Sequence, residues 1–195
     1  MYSTSGARML NSYYDKLIYS GGLKYQNNNF TVMGIPFVMI PTELLVGLSS
    51  NPDVNFQKQL YETSKKSAYK SLKTQFGIDF RHEGDKGLKI IEDYFTASGW
   101  GLLSSIDLDL EHKRAIVVVN NSAVGSALKG KVKTHCDHFM RGIIAAIFWD
   151  FFNEEIDCVE SECIALNDAK CKFIVKLPHE FDFSKANVRQ QLTAD

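Results

Sequence analysis

Glu160, Cys163 and Cys171, with Cys136 upstream, are the residues whose types and spacing call for specific chemistry. Three thiols and a carboxylate can close a tetrahedral shell around one borderline divalent cation, zinc foremost. Ile164 to Lys170 reads as a hairpin turn folded about Asn167, which sets Cys163 opposite Cys171. Directly opposed residues of an antiparallel pair have Cβ atoms roughly 4.5–5.5 Å apart, within reach of a shared ion. The same placement also suits a disulfide, and buried cysteines often serve only as small hydrophobes, so spacing leaves three readings open. In a regular strand, residues three apart point to opposite faces. Glu160 and Cys163 therefore reach one ion only if a bulge or sharp twist lies between them.

The elements that must position these groups are a hairpin and a helix. The hairpin pairs Ile156 to Ala165 with Lys170 to Leu177. The helix is predicted over Thr134 to Phe152, where Thr134 and Asp137 resemble a capping box and Cys136 falls in the first turn. At that position the helix dipole would favour a thiolate. Met140, Ile143, Ile144, Ile147, Phe148 and Phe151 make this helix apolar nearly all round, as expected of one running through the middle of a domain. Gly142 costs such a helix roughly 1 kcal/mol against Ala, which suggests that another backbone, a second subunit or a ligand comes close.

Upstream, Leu102 to Leu110 and Ala115 to Val119 read as two strands joined by the polar turn Glu111 to Arg114. Gly87 to Ser98 is helical, and Phe56 to Phe76 is an amphipathic helix stopped by Gly77, with Lys58, Lys65, Lys66, Lys70 and Lys73 largely on its solvated faces. Thr42 is predicted to cap a short helix ending near Ser49. Residues 1–55 are the least legible: Tyr13 to Tyr19 is β-prone, and the run from Phe30 to Ile40 carries Pro36, which bars a central strand throughout.

The 195 residues suit one domain, with 22 Lys and Arg against 23 Asp and Glu. A net charge of −1 gives no global field for DNA, RNA or anionic lipid. Met1 to Leu10 lacks the pattern of a secretory signal, and Phe139 to Phe152 is too short and too interrupted to span a bilayer, so a cytoplasmic location is expected. In a reducing compartment, cysteines are more often free or metal-bound than paired. His135 and His138, close to Cys136, invite a Cys–His dyad or a histidine metal ligand, but they read better as solvated surface histidines. His82, His112 and His179 fall in predicted loops, and Glu154 and Glu155 are ordinary helix-end charges.

From Val117 to Val175 the chain resembles the 4-vinyl reductase domain, a family of small-molecule sensing modules that shares its fold with TRAPP trafficking subunits. The residues that carry the likeness are Asn121-Ser122 after a strand, Cys136 through Arg141-Gly142, Glu160-x-x-Cys163, and Asp168-x-x-Cys171-x-Phe173. Residues 100–177 match best within a single domain spanning 1–195. The resemblance implies an α+β fold in which an antiparallel sheet of about four strands packs against several helices, one of them buried and central. In the sensor regions of XylR-like regulators, a zinc set of Cys, Glu, Cys and Cys falls on Cys136, Glu160, Cys163 and Cys171. Asn167 stands where the family usually has Gly, and both tolerate a left-handed turn. Met140 and Cys158 stand where aromatic-sensing members carry pocket tyrosines, which favours a ligand less phenol-like and more apolar.

The expectation is thus a non-catalytic, stand-alone, dimeric module holding a structural zinc and a small hydrophobic molecule, with Met140, Ile143, Ile144 and Cys158 as pocket candidates. The alternative is a trafficking-type scaffold with no exchangeable ligand. A reductase is disfavoured, because no Gly-rich nucleotide loop follows a strand.

Overall fold

The computed structural model describes residues 19–32, 35–73 and 85–193. Of the β-prone run Tyr13 to Tyr19, residues 13–18 lie outside them, as do the stop at Gly77 and His82, and Tyr19 itself is helical. Strands β1 (Leu23–Gln26), β2 (Asn29–Val32) and β3 (Ile35–Phe37) form a small antiparallel sheet in the order β1-β2-β3. Asn27 and Asn28 both have positive φ, 51° and 62°, the conformation a tight two-residue hairpin requires. Pro36 lies in β3, an edge strand, where its missing N–H does no harm.

Helices α1 (Thr42–Ser49), α2 (Val54–Ser71) and α3 (Asp85–Ala97) follow. Thr42 is not the cap of α1 but its first residue; Pro41 occupies the cap position, with the fixed φ that suits an entry into a helix. Asp53 caps α2 through a hydrogen bond from the Asn55 N–H at 2.9 Å. One lysine of α2 departs from its expected solvated face. Lys65 is 2% exposed, because Asp157 at 2.7 Å and Glu155 at 3.0 Å neutralise its ammonium beside the Tyr61 and Trp149 rings.

The main sheet comprises β4 (Leu102–Asp109), β5 (Arg114–Asn120), β6 (Asp157–Glu162) and β7 (Cys171–Lys176), all antiparallel, in the order β4-β5-β7-β6. Alternation decides its inner face. Ala115, Val117 and Val119 of β5 pair with Val175, Phe173 and Cys171 of β7, and all six are buried. Cys171 therefore sits on the core-facing side at the start of its strand. Between β5 and β6 come the short helix α4 (Ala123–Ala127) and the long helix α5 (His138–Phe152); α6 (Ala186–Gln191) follows β7. The expected α+β architecture is therefore the observed one, with α5 as its buried central helix, held between α2 and the sheet.

Gly142 has a backbone reason. A Cβ there would lie 2.6 Å from the carbonyl oxygen of Tyr61 and 2.6 Å from Cβ of Ser64, so α2 and α5 cross at a distance that only glycine permits.

The start of α5 corrects the sequence reading. The helix begins at His138, and Cys136 precedes it in non-helical chain rather than lying in its first turn. Asp137 occupies the cap position without a side-chain cap bond. Its carboxylate instead accepts from the Ser122 hydroxyl at 2.9 Å and from the Cys171 thiol at 3.4 Å, so the side chain that would have stayed near the helix end is drawn away.

Candidate metal centre

The β6–β7 connection is tighter and less regular than a symmetric hairpin turn. Register slips between Glu160 and Glu162, which makes Ser161 the extra residue of a bulge. This is the irregularity that Glu160 and Cys163 need in order to face one point. A 3₁₀ turn over Ile164–Leu166 follows, and Asn167 then takes φ 74°, the left-handed conformation expected of it. Asp168 closes the turn, its carboxylate accepting from the Cys163 N–H at 2.7 Å. The Ile164 N–H donates to the sulfur of Cys171 at 3.4 Å. Gly125 of α4 leaves room for that sulfur, since a Cβ there would stand 3.2 Å from it.

The result is a compact donor cluster. One oxygen of Glu160 and the sulfurs of Cys163 and Cys171 all lie within 4.8 Å of one another. The Cys136 sulfur reaches the cluster from the other side, 3.8 Å from that of Cys163. All four cysteines are free thiols, and Cys136, Glu160, Cys163 and Cys171 are at most 1% exposed. The structure thus groups three of the residues that the sequence singled out, and sets the fourth, Cys136, against Cys163 alone.

Their electrostatics are those of too much acid in too little space. Hydrogen bonding to Cys136 and Cys171 holds Cys163 far below the ordinary thiol range, while the same hydrogen bonding, followed by burial, pushes the Cys136 and Cys171 thiols up. Burial, and then the neighbouring Asp137 and Cys163, raise Glu160 well above the usual carboxylate range. Asp137 rises to about 6, chiefly through burial. A buried pocket of this kind does not tolerate several negative charges unless a cation joins them. Glu160 shows the same need: Oε2 accepts from the Asp137 N–H at 3.2 Å, whereas Oε1 is buried without a hydrogen-bond partner. Three sulfurs and one orphaned carboxylate oxygen suit a borderline divalent cation.

Around this centre lie groups that sequence reading missed. Gln191 binds the backbone of Glu160 on both sides, accepting from its N–H at 2.9 Å and donating to its carbonyl at 2.8 Å. Arg141, fully buried, donates to the Gln191 carbonyl and side-chain oxygens at 3.0–3.1 Å and lies 4.2 Å from the centre of the Tyr61 ring. Only the Asp and Arg of the quoted motifs hinted at such roles; nothing near Gln191 in the chain does. His138 is not the surface residue expected. It is 1% exposed, neither ring nitrogen has a partner, and burial followed by Arg141 pulls it down to about 3, so the ring is neutral. His135 is partly buried, and His112 and His179 are exposed as expected of loops.

Of the pocket candidates, Met140, Ile144 and Cys158 are buried and Ile143 is partly buried. Ile144 lines a small apolar crevice with Leu88 and Ile91 of α3, Leu103 of β4, Val117 of β5 and Phe148 of α5. It holds about one water's worth of space.

Comparison with known proteins fits this geometry. Residues 116–177, from within β5 to just past the end of β7, match the family model of the 4-vinyl reductase domain, so the resemblance holds over that stretch. No curated protein matches the sequence. The phenol-responsive sensory domain of the transcription activator PoxR, solved with phenol, superposes with a TM-score of 0.71 over 99% of this chain and 100% of that one, at 12% identity. A trafficking protein particle complex subunit 3 from Naegleria fowleri, covalently bound to palmitic acid, gives a TM-score of 0.52 over 70% of this chain and 89% of that one, at 13% identity. At these identities the likeness is one of fold. Among the described residues, no helix is long and apolar enough to cross a membrane.

Proposed function

We propose that this chain is a non-catalytic small-molecule-binding sensor domain, cytoplasmic and dimeric, built around a structural zinc held by Cys136, Glu160, Cys163 and Cys171. The observation that carries this reading is two free sulfurs grouped with a buried carboxylate, one oxygen of which has no partner, and a third sulfur, that of Cys136, 3.8 Å from Cys163. When bound, zinc would neutralise the cluster and tie the β6–β7 turn to the entry of α5. Four protein ligands leave no open position for water or substrate, which separates a structural site from a catalytic one. The match to the 4-vinyl reductase domain and the likeness to a phenol-responsive domain support the sensing role. A consecutive exposed apolar run, Val38, Met39 and Ile40, supports a surface that associates with a second subunit.

The ligand site is the crevice between α3, the sheet and α5, with Ile144, Ile147 and Phe148 as its contribution from the central helix. Apart from Glu92 its walls are aliphatic and aromatic, which suits a largely apolar molecule. Because the crevice has room for about one water, it must widen to take a ligand. The same small volume gives the scaffold alternative its one favourable observation.

Native mass spectrometry with metal analysis of the purified protein tests both. One zinc per chain and a retained or exchangeable small molecule support the sensor. One zinc with no ligand under any loading condition favours the scaffold, and a metal-free chain with a disulfide contradicts the zinc reading.

A further inference from the structure

From the contacts of α6 we infer that Gln191 is a positioning residue for Glu160, and that through it the C-terminal helix and the metal centre stabilise each other. This rests on the zinc reading above.

β6 is an edge strand, so the outward backbone groups of Glu160 have no strand to pair with. Gln191 supplies the pairing: its amide oxygen and nitrogen take the Glu160 N–H and carbonyl at 2.9 and 2.8 Å, as a neighbouring strand would. The clasp falls beside the bulge that turns Glu160 towards Cys163, where ladder pairing with β7 is interrupted. Gln191 is itself fixed, 1% exposed, with Arg141 of α5 donating to both its side-chain and main-chain oxygens. Two contacts thus aim Glu160: the Asp137 N–H holds one carboxylate oxygen, and Gln191 holds the backbone from which the carboxylate projects.

Metal–ligand distances tolerate only about ±0.2 Å, so releasing the Glu160 backbone loosens the shell without removing any ligand. The coupling is reciprocal: a cation that fixes Glu160 also holds the partner of Gln191 in place, and with it the buried Val188 and Leu192.

The test compares wild type with Gln191→Leu, Gln191→Glu and Val188→Ala. Gln191→Leu removes every contact of the amide. Gln191→Glu keeps the acceptor facing the Glu160 N–H and Arg141 but loses the donation to the Glu160 carbonyl. Val188→Ala weakens the packing of α6 without touching Glu160. Zinc affinity is measured by chelator competition, the cobalt(II)-loaded protein by its visible spectrum, and residues 186–192 by hydrogen exchange with and without zinc. Outer-shell losses typically weaken metal binding by roughly 10–100-fold, and this is expected for Gln191→Leu, with shifted cobalt bands and loss of the zinc-dependent protection of α6. Gln191→Glu should fall between, and it carries the comparison if Gln191→Leu does not fold. Val188→Ala should melt lower, weaken zinc binding far less than Gln191→Leu does, and keep the wild-type cobalt bands. Wild-type affinity and an unchanged cobalt spectrum in both Gln191 variants would overturn the role of Gln191 and leave the metal centre standing. A wild-type protein that takes up no zinc would overturn the centre and this inference with it.

Discussion

The sulfur of Cys136 lies 3.8 Å from that of Cys163, although 27 residues separate them in the chain. That contact joins the entry of the central helix to the turn that closes the sheet, and Cys163 is its pivot. Replacing Cys163 with Ser removes the sulfur that interacts with both other cysteines. Zinc at a hundred times its Kd stabilises a fold by about 2.7 kcal/mol, and for a chain of this size each kcal/mol is worth about 2–4 °C. Cys163→Ser should therefore release zinc and lower Tm by roughly 5–11 °C, as read by calorimetry with parallel metal analysis. Wild-type melting with full metal content would mean that the shell is wrongly assigned.

Proton release gives a second handle. Hydrogen bonding to Cys163, together with burial, raises the Cys136 and Cys171 thiols, so both are protonated near neutral pH in the metal-free fold. A cation must expel those protons to bind the sulfurs. Zinc affinity should rise with pH and fall at least about a hundredfold for each unit of acidification, the slope for the two thiol protons, and more steeply where Glu160 is protonated too. Zinc thus adds most to stability at the alkaline end, and that contribution fades as pH drops. Titration calorimetry in buffers of different ionisation enthalpy counts the protons, and a pH-independent affinity would contradict the thiolate shell.

Gly142 tests how α2 meets α5. Alanine in an open helix would gain about 1 kcal/mol over glycine, but here its Cβ would stand 2.6 Å from the Tyr61 carbonyl oxygen. Backbone cannot yield as a flexible side chain can, so the clash wins. Gly142→Ala should lose about 1–3 kcal/mol in urea denaturation. A gain would mean that the two helices stand further apart than described.

The crevice can be probed by enlarging it. Ile144→Ala should cost about 2–5 kcal/mol and leave an apolar void between α3, α5 and the sheet. Benzene should then bind the variant and raise its Tm, shifting NMR signals of Leu88, Leu103 and Val117. Shifts confined to other parts of the molecule would move the ligand site elsewhere.

How much of this was legible follows from range. Cys163 and Cys171 sit on one turn, so spacing located them, and the strand period alone showed that a bulge had to separate Glu160 from Cys163. Gly142 announced a close neighbour through its cost to a helix. Other features depend on partners far along the chain. Lys65 looks solvated by helical period, yet it is buried because Asp157, 92 residues later, neutralises it. Asp137 reads as the capping-box partner of Thr134 until Ser122 and Cys171 claim its carboxylate. Gln191 finds Glu160 across 31 residues and Arg141 across 50, and no local pattern marks it. The β1–β2 hairpin could have been found from Asn27-Asn28, two residues that readily take positive φ.

The central claim is that one cation is held by three sulfurs and one carboxylate. X-ray absorption at the zinc edge of the purified protein addresses it directly. About three sulfur scatterers near 2.3 Å and one oxygen near 2.0–2.2 Å are predicted. A shell of nitrogen and oxygen alone, or a protein with no zinc edge and a disulfide among Cys136, Cys163 and Cys171, would contradict it.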